Sequence, residues 1–563
     1  MKYESWKHGG LDALAVSSGL LLGWAVWQPG GLSWSWLIVL AIWTGCSTQT
    51  RRLFLIWFGY YLGALRLPLD SLRDYYPTPQ GLWIALLAQF VLALLLAGPF
   101  VLCATPRFRS PFRAALAACF GLLTSALPPL GSVGLASPFF GASSFFPGCG
   151  ILGLLAFLGI FALLVATTRA LPRERKKEIL NASQAIVLAG ALVQPLLGIT
   201  PKGLGLYCPR SVSCPSKTVV PISYPFGPTV KSWSSFLRRA RLITHLAQDA
   251  LQTAPQARLL LFPEAVAGPF NHAFLPLYQR LNTLAREQGV IVALGSTVPW
   301  QSRHGTSWSD GLVFLGKAQG ELIARQPAPL VEWAPWRSLL NRTTPTMPAF
   351  WWWHMSGRSK SNRIRRDDIQ FGTHRWAALI CYEQALVWPI LWTIFHHQPT
   401  LLLAPESVHW ERKRSIGMLE ERMAHAWGRL YALPVAIATN LPPHRPSGES
   451  GFLYPTGTGS RLSSKRSGPL AIIPTGSRKA TGWLWSQRFE TLNPVWSRNI
   501  MSSSHALFRA SGKQGGYRCV FSGPRIMIHV STNPLARLCR PKMGWRCLDL
   551  SNDHGDLSHE NPA

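Results

Sequence analysis

The sequence predicts two successive folds in one chain: a multi-span α-helical membrane domain over residues 1–200, then an α/β domain over 201–443. Three observations lead there. The chain is 48 % hydrophobic and only 14 % charged, where a soluble domain carries roughly 25 % charged residues. Its charges are unevenly spread, with 14 Lys/Arg and 6 Asp/Glu in residues 1–200 against 26 and 13 in 201–440. In that second region, short apolar runs alternate with amphipathic stretches. The 25 Trp exclude a disordered chain. A net charge of +31 leaves nucleic-acid contact or a membrane protein with basic loops. The positions of the charges favour the second.

Apolar stretches cover about 11–27, 34–49, 53–65, 82–104, 114–135, 149–168 and 179–199. Most approach the roughly 20 residues a helix needs to cross a bilayer core. The third is short and needs Leu67 and Leu69 beyond Arg66. A lone first stretch would also suit a signal peptide, but six follow it. With seven spans and the N-terminus inside, the cytoplasmic segments hold twelve basic residues, among them Lys2, Arg51, Arg107, Arg169 and Lys177. The opposite loops hold two, Arg66 and Arg73. That asymmetry predicts a multi-pass protein of a bacterial inner membrane with residues after about 200 on the periplasmic side.

The second region reads as buried strands between helices. Arg258–Phe262, Val290–Leu294, Gly311–Leu315, Ala377–Ile380, Thr400–Ala404 and Pro434–Thr439 are short apolar runs. Ser235–Thr253, Pro276–Gln288 and Ser415–Tyr431 have helical periodicity. In such folds, chemistry gathers where strands end. Glu264 is the first polar residue after LLLFP, and Cys381 follows AALI, with Glu383 two residues on. Taken singly, Glu264 suits a helix N-terminus and Cys381 a small core residue. Together they make a nucleophilic pair, a thiol with a carboxylate base.

LLLFPEAVAG (259–268) and ALICYEQ (378–384) resemble the glutamate and cysteine motifs of the carbon–nitrogen hydrolase (nitrilase) superfamily. With the upstream spans, the chain resembles the membrane branch of that superfamily, the apolipoprotein N-acyltransferases and the plasmid-borne conjugal transfer proteins of the TraB type. The resemblance covers roughly residues 10–440. YPFG (224–227), LGSTV (294–298) and AHAWGRLYALPVAIATN (424–440) support it. It implies an αββα sandwich and a Glu–Lys–Cys triad with Glu264 as base and Cys381 as thioester-forming nucleophile. At the lysine position stands Arg325, which supplies charge to an oxyanion but no tuned proton. Lys317 lies eight residues earlier, outside the pattern. Glu332 matches the accessory glutamate and Glu383 the glutamate after the cysteine, both on the substrate side. The usual small polar residues after the next strand are replaced by Pro405–Glu406–Ser407. The implied partners are the lipid bilayer, a phospholipid acyl donor and a conjugation apparatus. Cofactors and nucleic acid are not implied. The alternative is a catalytically decayed structural component of that apparatus.

Phe350–Trp353 (FWWW), followed by Arg358, Lys360, Arg363, Arg365 and Arg366, suits a membrane-dipping lid beside anionic headgroups more than an internal core piece. A solvated loop explains those cations equally well. Cys208 and Cys214 are close enough in sequence for a periplasmic disulfide, which spacing alone does not establish. Residues 444–563 form a basic tail. From 441 to 548 it has two acids, Glu449 and Glu490, among sixteen basic residues, and no sustained period. Disorder, nucleic-acid binding and a shifted reading frame are its three readings.

Overall fold

The computed structural model describes residues 2–47, 49–75, 78–105, 110–193, 206–207, 218–228, 232–270, 272–302, 305–326, 328, 368–371, 374–411, 415–442, 507–511, 516–522 and 525–528. Glu332, the FWWW run with the basic residues after it, and Cys208 and Cys214 lie outside these. Residues 1–462 form one compact unit and 463–563 a second.

Every apolar stretch of the first 200 residues contains helix. The helices are α1 (Lys2–Val26), α2 (Val39–Cys46), α3 (Thr50–Ala64), α4 (Arg66–Tyr75), α5 (Pro79–Ala97), α6 (Pro111–Ala126), α7 (Ala142–Phe145), α8 (Gly150–Ala170) and α9 (Arg173–Val193). Among the described residues, two are long and apolar enough to cross a membrane: α5 with its 3-10 extension to Ala104, and α8. Within the described residues the other five stretches are shorter or more polar, for local reasons. The second is divided between a 3-10 turn, Trp34–Ile38, and the eight residues of α2. α3 has 15 residues. α6 stops before the Pro128–Pro129 pair, which removes backbone donors. The apolar part of α1 is Gly10–Val26, 17 residues, and α9 opens on RERKKE. Both α5 and α8 keep large side chains uncovered, among them Trp83 (71 % exposed) and Leu152 (73 %). α1 and α3 pack backbone to backbone: a Cβ at Gly19, Gly23 or Gly63 would run into the carbonyl oxygen of Ile56, Tyr60 or Leu20. Small residues at four-residue spacing permit this approach.

The α/β part is built on two five-stranded sheets. The first has the order β2 (Val219–Pro221), β3 (Leu259–Leu261), β4 (Ile291–Ser302), β5 (Gly305–Gly316), β6 (Gly320–Ile323), parallel as far as β4 and antiparallel beyond. The second has the order β1 (Leu206–Tyr207), β10 (Val435–Asn440), β9 (Leu401–Ser407), β8 (His374–Ala378), β7 (Asp368–Phe371), with β8, β9 and β10 parallel. Side chains alternate between faces along each strand. Leu259 and Leu261 therefore meet Leu401, Leu403, Ala436 and Ala438 in a core between the sheets. Leu260 and Phe262 turn outward into a core with α10 (Trp233–Thr253) and α11 (Gln279–Glu287). Leu402 and Ala404 turn outward on the other side, toward α12 (Val387–His397) and α13 (Ser415–Tyr431). The result is the αββα layering that the resemblance implied.

The helical half and the second sheet share one core. Trp427 of α13 packs on Phe140 with ring centroids 4.5 Å apart. Arg422 of α13 donates to the carbonyls of Val26, Gln28 and Leu32 and lies 4.0 Å over the Trp34 ring. Ser71 of α4 donates to Glu411 at 2.8 Å. These ties bring the helical half against one face of the α/β part. In the second unit, residues 507–511, 516–522 and 525–528 form an antiparallel three-stranded meander. Each strand is too short to show as a sustained period in sequence.

Candidate active site

A cavity of about 390 Å³ lies where the second sheet meets the helical half. One wall is apolar, with Trp27, Leu65, Leu72, Leu92 and Leu135. The other carries Glu264, Asp310, Cys381, Ser407, His409 and Glu420. The ends of β3 and β8 thus open into one space, and the two residues singled out at those ends both line it.

Glu264 follows Pro263 as β3 leaves its sheet, and is 5 % exposed. Its place depends on Gly295 of the LGSTV stretch. A Cβ there would run into the Pro263 carbonyl and crowd the Glu264 Cα, so β4 passes close only because that side chain is absent. Burial pushes the Glu264 carboxyl well above the ordinary carboxylate range. The neighbouring Asp310 pushes it the same way, and a hydrogen bond with Cys381 opposes them. Asp310, on β5, in turn accepts from Thr297 Oγ1 at 3.1 Å.

Cys381 begins a 3-10 turn, Cys381–Ala385, directly after β8. Its φ is +44°, a left-handed conformation that strains a residue with a side chain. The clamp that imposes it is Glu383, which is fully buried. One of its oxygens accepts from the backbone N–H groups of Arg325 and Gln326, the latter at 3.0 Å. The other accepts from Ile380 N at 3.1 Å. Burial still raises the Glu383 carboxyl, against the opposing pull of Arg325 and these N–H groups. Arg325 is buried beside it, with Nη1 3.2 Å from the Ala378 carbonyl and 3.9 Å from Glu383. Neither Arg325 nor Glu383 is among the cavity-lining residues described. The structure therefore sets both beneath the thiol as its support. No lysine or arginine lines the cavity among the described residues. Lys317 is exposed after β5.

Two groups were not singled out in the sequence, and a third was named only as a departure from the family pattern. Asp310 stands beside Glu264. Glu420 of α13 brings Oε1 to 3.8 Å from Cys381 Sγ and is 7 % exposed. Burial and Glu411 raise its pKa to about 8. A signal for it exists: Glu420 shares the helical spacing of Met423, Ala424 and Trp427, which places a carboxyl inside an apolar stripe. The third is Ser407 Oγ, 3.0 Å from His409 Nδ1, with Asn440 Nδ2 donating to the serine at 3.1 Å. Burial, then Arg239, lowers His409 to about 4, which keeps it neutral at ordinary pH.

No family model matches the chain. It is 26 % identical over 405 residues to a probable conjugal transfer protein TraB of Sinorhizobium fredii, covering 70 % of this chain and 89 % of that protein. It is 25 % identical over 401 residues to the conjugal transfer protein TraB of Agrobacterium fabrum, covering 68 % and 82 %. Its curated relatives are TraB conjugal transfer proteins. Among solved structures, it is similar to an amidase from Nesterenkonia sp. (16 % identity, TM-score 0.26, 39 % of this chain and 74 % of that one). A CN-hydrolase superfamily protein from Xanthomonas campestris gives 14 % identity, a TM-score of 0.25 and the same coverage.

Proposed function

We propose that this chain is a membrane-embedded protein of a conjugal transfer system, of the TraB type, that accepts an acyl group on Cys381 as a thioester. The observation that carries this reading is the Cys381 thiol between the carboxyls of Glu264 and Glu420, at the floor of a cavity whose opposite wall is apolar and belongs to the helical half. Glu264 takes the thiol proton, and the acyl chain occupies the apolar wall. The donor in this reading is a phospholipid and the acceptor an amine. The seven helical stretches form a multi-pass domain of the inner membrane, and the twelve-to-two distribution of basic residues sets the α/β part on the periplasmic side.

The test is acylation in proteoliposomes containing a radiolabelled phospholipid. Label that is retained on the protein, released by neutral hydroxylamine and mapped to Cys381 is the expected result. Cys381→Ala should abolish it, and Glu264→Gln should slow it at least ~100-fold. Absence of label from the wild-type chain overturns the reading. A second reading, a scaffold of the transfer apparatus, is favoured by one observation: Arg325 at the lysine position is engaged by Glu383 and Ala378. Conjugation that proceeds unchanged with Cys381→Ala would select it.

A further inference from the structure

The site lacks a lining cation among the described residues, yet it places two acids on one sulfur. Glu264 and Glu420 both interact with the Cys381 thiol, and the Glu420 charge acts on Glu264. Glu420 reaches the thiol from α13, a helix that is itself fixed to the helical half by Arg422. Its Oε1 is 3.8 Å from Sγ. Glu420 lines the cavity, and its Oε2 is buried with no hydrogen-bond partner among the described residues. A buried carboxyl oxygen without a partner is costly unless it carries a proton or meets a ligand.

We propose that Glu420 is the acid–base partner of Glu264, protonating the leaving group as the thioester forms and taking the proton of the acceptor amine as it breaks. The inference rests on the thioester reading above. In the first half, sulfur attacks the acyl carbonyl and the thiol proton passes to Glu264. The carbon–oxygen bond of the ester breaks, and the Glu420 proton goes to the departing alkoxide. In the second half the amine nitrogen attacks, its surplus proton passes to Glu420, and the carbon–sulfur bond breaks. The proton held by Glu264 returns to sulfur, and both carboxyls regain their starting states.

Burial holds protons on this cluster, with Glu420 raised to about 8 and Glu264 raised by burial and Asp310. Glu411 and Glu421 add like charge from around α13. Two coupled acids of this kind pass through a state that shares one proton, in which one is base while the other is acid. That state is the working one. A lysine is then not needed for proton transfer, which fits the engagement of Arg325 with Glu383.

The discriminating experiment varies the leaving group. Purified full-length protein and its Glu420→Gln variant are given a phospholipid, whose alkoxide needs a proton, and a para-nitrophenyl ester of the same acyl chain, whose phenolate does not. Acylation of Cys381 is followed by intact mass. The variant should acylate at least ~100-fold more slowly from the phospholipid and within ~5-fold of wild type from the activated ester. Equal loss with both donors would make Glu420 a structural residue and overturn the proposal, as would no loss with either. If wild type acylates from neither donor, the thioester reading itself falls and takes this role with it. Retained acylation from the activated ester also shows that the variant is folded.

Discussion

The two strand ends that meet beneath the cavity are held by opposite means. After β3, Glu264 is fixed by shape: Gly295 lets β4 pass against Pro263, and Ala265 turns away at φ +56°. After β8, Cys381 is fixed by charge: Glu383 gathers three backbone N–H groups and faces the Arg325 guanidinium. The first support is steric and indifferent to pH. The second consists of buried charge, and it joins the end of β6 in one sheet to the end of β8 in the other. The nucleophile is thus placed by both sheets together, whereas the base is placed by one.

The largest effect should come from breaking the charged support. Glu383→Ala leaves Arg325 buried without its carboxylate and should lower stability by about 3–5 kcal/mol, measured by denaturant unfolding in detergent. Adding Arg325→Met should recover part of the loss, since replacing both charges is milder than removing one. Additive losses would show that the two residues do not act as a pair. Gly295→Ala attacks the steric support. Its Cβ would strike backbone that cannot rotate away, and a loss of about 3 kcal/mol is expected. Acylation from an activated ester should fall together with stability, because Glu264 moves.

A smaller effect separates the supports by pH. Glu420 and Glu383 have folded-state pKa values raised above the ordinary carboxylate value, Glu420 to about 8. The folded state therefore binds more protons than the unfolded state between about pH 4.5 and 8. The stability this contributes is full below that window and is lost as pH rises through it, at up to about 1.4 kcal/mol per pH unit for one group. Glu420→Gln should flatten this slope. An unaltered slope in Glu420→Gln would show that Glu420 titrates normally. The smallest effect is expected at Ala265→Gly, which relieves a left-handed alanine and should stabilise by less than ~1 kcal/mol. A loss instead would mean that the Ala265 methyl packs at the site.

The strands and helices of the α/β part were legible because their signals are local. All six apolar runs contain strand, although β8 ends at Ala378 within the run Ala377–Ile380, and Ser415–Tyr431 became a helix with those limits. β1, β2, β6 and β7 were not legible, since strands of two to four residues at or near sheet edges show too little period. Glu264 and Cys381 were legible because each is the first reactive group after an apolar run. Asp310 was not, because it stands within a strand, and Glu420 showed only as a carboxyl inside an apolar helical stripe; each acquires its role from a neighbour more than 35 residues away. Glu383 was read as a substrate contact on its motif position. Its burial against the N–H groups of Ile380, Arg325 and Gln326 gives it the work of holding the turn.

The sequence by itself determined the six longer apolar strands and the main helices, that apolar helices precede an α/β part, and that a thiol and a carboxyl stand at two strand ends. These follow from periodicity and from the placement of polar residues within a few positions along the chain. The structure added that, among the described residues, two of the apolar stretches form helices long and apolar enough to cross a membrane. It also decided that Arg325 supports the thiol turn and that the helical half supplies the apolar wall of the cavity. Each of those depends on which groups burial brings together, and burial is a property of packed surfaces that no local stretch of chain contains.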